Sequence, residues 1–213
     1  MNKSSAAAAF QVTPWSHRLG GLVERHKGLI LRLAEVESDA LADVLAAQPI
    51  QQPVFVCGLA RAGTTIVLEA LASHPDVATH RYSDYPFIHL PYWWGKLAAK
   101  MLKQDATASE RAHGDRITVS PHSPEAMEEA LWMSFFDTLH GENAKALLDA
   151  STSNPEFERH YRNHITKLLL VRGRGRYVSK GNYNISRLAY LQKMLPDARF
   201  IVPVREPLAH VAS

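Results

Sequence analysis

Gly58, Arg61, Gly63, Thr64 and Thr65 stand between an apolar run (Val54, Phe55, Val56, Cys57) and a segment whose apolar residues Ile66, Val67, Ala70 and Leu71 recur at helical spacing. The short run ended by glycine predicts a buried strand, and the spacing after it predicts a helix. Strand, glycine-flanked loop and helix start bring backbone N–H groups and the positive end of a helix dipole to one point, which is an anion site. Its expected donors are the backbone of Ala62, Gly63, Thr64 and Thr65, with Arg61 as the cation of the loop. Gly58 and Gly63 keep the four-residue gap of a Walker loop, but Thr64 stands where that loop carries its lysine. A lysine there serves the β- and γ-phosphates, so its replacement counts against nucleoside-triphosphate chemistry.

Two further runs suit the same ligand chemistry. Residues 199–213 read as a strand ending at Arg205, then a helix opened by Pro207 with Ser213 two turns along it. Arginine offers a planar fork to phosphate oxygens, and a helical hydroxyl adds a short neutral donor beside it. Residues 177–200 read as a strand ending at Lys180, a loop, and a helix carried by Ile185, Leu188, Leu191 and Leu195. Arg61, Lys180 and Arg205 are thus all expected at or just past strand ends, the edge where open parallel sheets bind ligands.

In kind and order, these runs resemble the sulfotransferases that use 3′-phosphoadenosine 5′-phosphosulfate (PAPS). The resemblance covers roughly residues 50–213, including the run Leu195-Pro-Asp-Ala-Arg-Phe200. It is closest to the bacterial, tyrosylprotein-type and carbohydrate-type branch, whose loop carries arginine. The cytosolic phenol and steroid enzymes have lysine there and a tryptophan after the second threonine, where this chain has Ile66. The resemblance implies that Gly58, Arg61, Ala62, Gly63, Thr64 and Thr65 hold the 5′-phosphosulfate, that Arg205 and Ser213 grip the 3′-phosphate, and that Lys180 assists at the bridging oxygen. It also implies a hydroxyl or amine acceptor on a small molecule, glycan or lipid. The general base is expected at Asp84, with His80 and then His89 as alternatives, each of which suits a capping or surface role equally well. The rival readings are a non-catalytic or degenerate nucleotide-binding module and an atypical P-loop kinase. The kinase needs a Walker lysine and a Mg²⁺-holding aspartate at a strand end. The family continues for ~100 residues past this point, so the chain is expected to be a C-terminally truncated piece.

Composition sets the frame. A chain of 213 residues with 46% apolar content suffices for one α/β domain with a real core. The formal charge of +3 is dispersed, which does not suggest nucleic acid. Cys57, the single cysteine, can form no internal disulfide, is expected as a core residue, and points to a reducing, cytoplasmic setting. No apolar run approaches the ~20 residues of a membrane span, and the Ala6–Ala9 run is too short for a signal peptide. Eleven histidines invite a metal reading, but neither a His-x-x-x-His nor a His-Glu-x-x-His set is read among them and no cysteine cluster supports one, so no metal site is expected.

The expected fold is α/β: a P-loop-like parallel sheet flanked by helices, with an N-terminal helical segment (residues 1–50) before the sulfotransferase-like domain (51–213). In that segment Leu19, Leu22, Val23, Leu29, Ile30, Leu33 and Val36 recur at helical spacing, as if packed beside the domain. The aromatic stretch from Tyr82 to Trp94 suits either a surface-packed lid or a pocket wall. Residues 103–123 read as a loop. Ser123-Pro124 opens a predicted helix through Met127, Leu131 and Met133, with Glu125, Glu128 and Glu129 on its solvated face. Asn154-Pro155 opens another that stops near Gly173. Pro203 sits badly inside the last strand, because proline cannot donate to a ladder.

Overall fold

Side-chain alternation along neighbouring strands decides which layer each helix joins. The computed structural model describes residues 14–101, 109–110, 118–136, 138–140 and 147–211. In it β1 (Val54–Cys57) lies between β5 (Arg176–Gly181) and β6 (Arg199–Ile201), with β2 (Val77–Ala78) outside β5, and all four are parallel. Phe55 and Cys57 on β1 and Tyr177 on β5 pack with α6 (Glu129–Phe135), α7 (Pro155–Arg172) and α8 (Leu188–Met194). Val56 and Val178, one residue out of step, pack with Leu68 of α4 (Thr64–Ala72) on the opposite face. This is the two-layer covering that a parallel sheet requires.

Where the sequence carries explicit end signals, the elements match expectation. α7 begins with Asn154, whose side chain accepts from the Phe157 amide at 3.0 Å, followed by Pro155 at the first helical position; it ends at Gly173 with φ 60°. Elsewhere the ends move. β6 stops at Ile201, not Arg205, because Pro203 has no N–H to extend the ladder. The helix predicted from Ser123 starts only at Glu129. Before it, residues 120–125 are strapped along 80–83: the amides of Tyr82, Ser83 and Glu125 bond Ser123, Pro121 and His80 carbonyls, and Arg81 bridges Pro124. The helix predicted through Ile185 divides into a 3₁₀ turn (Asn182–Ser186) and α8. Within the expected loop of residues 103–123, β3 (Ser109–Glu110) pairs antiparallel with β4 (Thr118–Val119), and residues 103–108 and 111–117 lie outside the described residues.

The N-terminal segment forms α1 (Pro14–Arg25), α2 (Lys27–Ala40) and α3 (Ala42–Ala47), but α2 does not bury the face its leucines predict. Ile30, Ala34 and Glu37 are buried, whereas Leu29 and Val36 are 56% and 54% exposed. The buried stripe is set by charge. Glu37 meets Lys167 of α7 at 2.9 Å with both side chains fully covered, and its other oxygen accepts from the Trp93 amide at 2.6 Å. Lys167 also donates to the Ala34 carbonyl at 3.2 Å. Burial lowers the Lys167 pKa, and Glu37 opposes that shift.

Four buried histidines line the same side of the sheet. His160 and His164 stand one turn apart on α7, so a His-x-x-x-His spacing is present after all, against the expectation that none occurs. His164 Nε2 is 3.2 Å from His80 Nε2, and His160 Nε2 is 3.2 Å from His89 Nδ1. Burial first, then neighbouring positive charge, lowers His89 to about 4 and His160 to about 3 from 6.5, and pushes His164 down as well. His89, His160 and His164 are neutral in the fold and take up protons on unfolding. Their contribution to stability should therefore be complete above pH 6.5 and fall as pH drops toward 4, by about 1.4 kcal/mol per pH unit for each of the three. Urea midpoints at pH 7.5, 6 and 5 should decline steeply; equal midpoints would contradict the burial of neutral imidazoles.

Candidate functional site

The loop between β1 and α4 is shaped by left-handed backbone. Gly58 has φ 148° and Gly63 φ 93°, and Gly63 is the residue that turns the chain into α4. Arg61 is also left-handed at φ 68°, an uncommon conformation for a side-chain-bearing residue, at the exposed tip of the loop. The amides opening α4 follow directly, and the first four N–H groups of a helix have no partner within it. Thr64 is buried under the loop and Thr65 is half-buried at its mouth.

Alternation along β5 brings Lys180 to this loop. Tyr177 and Ser179 face α6 and α7, so Lys180 shares the α4 face with Val178, and its Nζ donates to Thr65 Oγ1 at 3.0 Å. From the other side Arg205, exposed between β6 and α9 (Pro207–Val211), donates to the Arg61 carbonyl at 3.3 Å. The structure thus brings Arg61, Lys180 and Arg205 together around one helix start at the C-terminal edge of the sheet. Ser213 lies outside the described residues.

Glu128 is the main residue that the sequence reading misplaces. Expected on a solvated face, it is 2% exposed. Its carboxylate accepts from the hydroxyls of Tyr161 (2.5 Å), Tyr177 and Ser179 (2.8 Å), and from Asn184 Nδ2 at 3.4 Å. Burial and then the Glu128 charge push both tyrosine pKa values well up, so the phenols stay protonated donors. Glu129 is likewise engaged, in a two-pronged pair with Arg187 at 2.9 and 2.8 Å, and Arg187 lies over the Trp132 ring at 4.6 Å. The available signal was the cluster of buried-type polar partners in the 161–184 stretch, which only the fold brings to Glu128. A small cavity of about 140 Å³ separates Glu128 and Glu129 from Lys180 and the 182–184 turn.

Asp84 stands in a 3₁₀ turn, 4% exposed, with its oxygens already engaged. Arg172 Nη2 lies at 2.5 Å, the Arg81 amide donates at 2.9 Å, and His80 Nδ1 is 3.5 Å away. Burial alone would raise its pKa, but the His80 hydrogen bond, the Arg172 charge and the Arg81 amide together hold it below the usual range. Such a carboxylate is a poor proton acceptor, and the geometry gives Asp84 a structural task. His80 is also buried, while His89 borders a separate cavity. Cys57 is fully covered, and burial followed by the Glu128 charge raises its thiol pKa to about 12. Among the described residues no group of histidine, cysteine and acidic side chains is placed to hold a metal, and no helix is long and apolar enough to cross a membrane.

A family model described as "Sulfotransferase family" matches residues 53–213. Two solved structures share the fold. The sulfotransferase STF1 of Mycobacterium tuberculosis H37Rv is 20% identical, with a TM-score of 0.51 over 88% of this chain and 55% of that one. The sulfotransferase STF9 of Mycobacterium avium is 16% identical, with a TM-score of 0.55 over 98% of this chain and 55% of that one. The chain thus spans about half the length of these solved structures. No curated protein matches it at a significant level.

Two substitutions test these assignments. Asp84→Asn removes one member of a buried ion pair and should cost about 3 kcal/mol in urea unfolding; a loss under about 1 kcal/mol would reopen the role of Asp84. Glu128→Ala strands two buried phenols and a serine hydroxyl and should cost at least about 3 kcal/mol, with Glu128→Gln retaining part of it. An Ala variant as stable as the parent would show that the network carries no net stability.

Proposed function

Because the chain belongs to the sulfotransferase family, we propose that it transfers a sulfuryl group from PAPS to a hydroxyl or amine acceptor. The observation that carries the reading is the Lys180–Thr65 contact of 3.0 Å. It returns a lysine to a loop that lacks one at the Walker position, but from the neighbouring strand. The residues fit the donor by their chemistry. Amides opening α4, two threonine hydroxyls and Arg61 suit a 5′-phosphosulfate, and Arg205, with Ser213 as the partner that the resemblance to the family implies, suits the 3′-phosphate.

When bound there, PAPS supplies the sulfuryl group. The chain's own part is to stabilise negative charge where it grows, on the oxygen between phosphorus and sulfur. Lys180, anchored on Thr65, would serve that oxygen, and Arg61 at the loop tip would serve the phosphate oxygens beside it. Asp84 is not offered as the proton acceptor, since Arg172 and the Arg81 amide occupy its oxygens. The lone cysteine supports a reducing, cytoplasmic setting.

Thermal shift with adenosine 3′,5′-bisphosphate against ATP–Mg²⁺ tests the reading. Saturation at ~100 times the dissociation constant stabilises a fold by about 2.7 kcal/mol, a shift of several degrees. The bisphosphate should produce it, ATP–Mg²⁺ should not, and Arg61→Ala should weaken the response about tenfold or more. An equal response to ATP–Mg²⁺ would favour the kinase, and no response to either would remove the nucleotide.

A further inference from the structure

Between the N-terminal helices and α6 lies a cavity of about 560 Å³ that the loop does not use. Its walls are mostly apolar: Val23, Ile30, Ile88 and Met127 are typical. That volume falls in the range of sites for drug-sized ligands. The wall supplied by Gly20 to Ile30 precedes the family match, which starts at residue 53, so the cavity is completed by the N-terminal segment. It is a fitted wall. A Cβ on Gly20 would sit 1.6 Å from the Tyr85 hydroxyl oxygen, so Tyr85 closes against α1 only because that residue is glycine.

One end of the cavity is polar, and its proton order can be derived. Ser134 Oγ donates to the Ala130 carbonyl of its own helix at 2.8 Å. With that proton committed, His89 Nε2, at 3.1 Å from Ser134 Oγ, must carry the hydrogen and donate to it. Neutral His89 then has Nδ1 as an acceptor, and His160 Nε2 donates to it at 3.2 Å. Ser134 Oγ is left with one acceptor position on the cavity wall. Beside it Lys27 Nζ, which donates to the Met133 carbonyl at 3.1 Å, has further N–H donors to offer.

An acceptor next to a donor, in an otherwise apolar chamber, matches a hydroxyl. We propose that this cavity binds a neutral, largely apolar alcohol, whose O–H donates to Ser134 Oγ and whose oxygen accepts from Lys27. A carboxylate would gain from the Lys27 charge, but it has no proton for Ser134 Oγ, whose own hydrogen is committed to Ala130, and it would face the Ala130 and Met133 carbonyls. A sugar would bring more hydroxyls than the walls can satisfy, at a cost for each one buried unpaired. An ether of the same size lacks the donor. The segment from Ala126 to Ala130 divides this chamber from the small cavity at Lys180: Ala126, Glu128 and Glu129 border one, Met127 and Ala130 the other. The inference goes beyond sulfuryl transfer and stands or falls without it.

Calorimetric titration with 1-octanol, 1-methoxyheptane and octanoate, with no nucleotide present, tests it. The alcohol should bind the parent chain about tenfold tighter than either comparison compound. Ser134→Ala should erase the preference over the ether while leaving the apolar part of the affinity. Ala130→Phe, which fills the chamber, should weaken the alcohol at least about tenfold; Val23→Trp fills it from the opposite wall if the first variant does not fold. Absence of octanol binding to the parent, binding indifferent to both filling variants, or an undiminished preference in Ser134→Ala would each overturn the proposal. Adenosine 3′,5′-bisphosphate is titrated separately, so failure at the Arg61 loop leaves this result untouched.

Discussion

One buried carboxylate aligns the parts on which the site depends. Glu128 joins the start of α6, the middle of α7, two residues of β5 and the turn after it. Because β5 alternates, holding Tyr177 and Ser179 on one face fixes the direction of Lys180 on the other. The precision of the lysine at the loop is therefore set from behind the sheet by a residue that lines only the small cavity beside it. An isolated carboxylate at that depth would be very costly; here its oxygens are engaged by hydroxyl and amide donors, and the hub is tolerated as a complete network.

Local chemistry was legible in the sequence, and long-range pairing was not. The turn of the Gly58–Thr65 loop into α4, the Asn154-Pro155 helix start and the Gly173 stop are written in neighbouring residues, and they stand where their signals put them. The strand expected to run to Arg205 ends at Ile201, and Pro203, which sat badly in it, is the reason. By contrast, Glu128 looks like any glutamate near a helix start, because its partners lie 33 to 56 residues away. Leu29 and Val36 look like a core stripe, yet Glu37 turns α2 the other way by pairing with a lysine 130 residues on. Asp84 suited a base by position alone, and only the fold reveals Arg172 against it. In each case a buried charge overrode the pattern around it.

The same logic binds the N-terminal segment to the rest. The Glu37–Lys167 pair is buried on both sides, and removing either partner would leave a bare charge inside the protein. The described residues before the family match, 14–52, are therefore part of the same packed unit, although they contribute no strand to the sheet. They also supply one wall of the apolar chamber, so variation in α1 and α2 can reshape that chamber while leaving the Gly58–Thr65 loop unchanged.

Cys57 gives the central strand a built-in clock. Burial pushes the Cys57 thiol pKa up to about 12, so the thiolate is scarce at pH 7, and full burial shields the sulfur from reagents. An alkylating reagent therefore waits for β1 to open. In the regime where reclosing is fast, the labelling rate divided by that of a free thiol gives the opening equilibrium directly. The residue before the Gly58–Thr65 loop thus reports how often its supporting strand comes loose, in a chain with no other sulfhydryl to confuse the count.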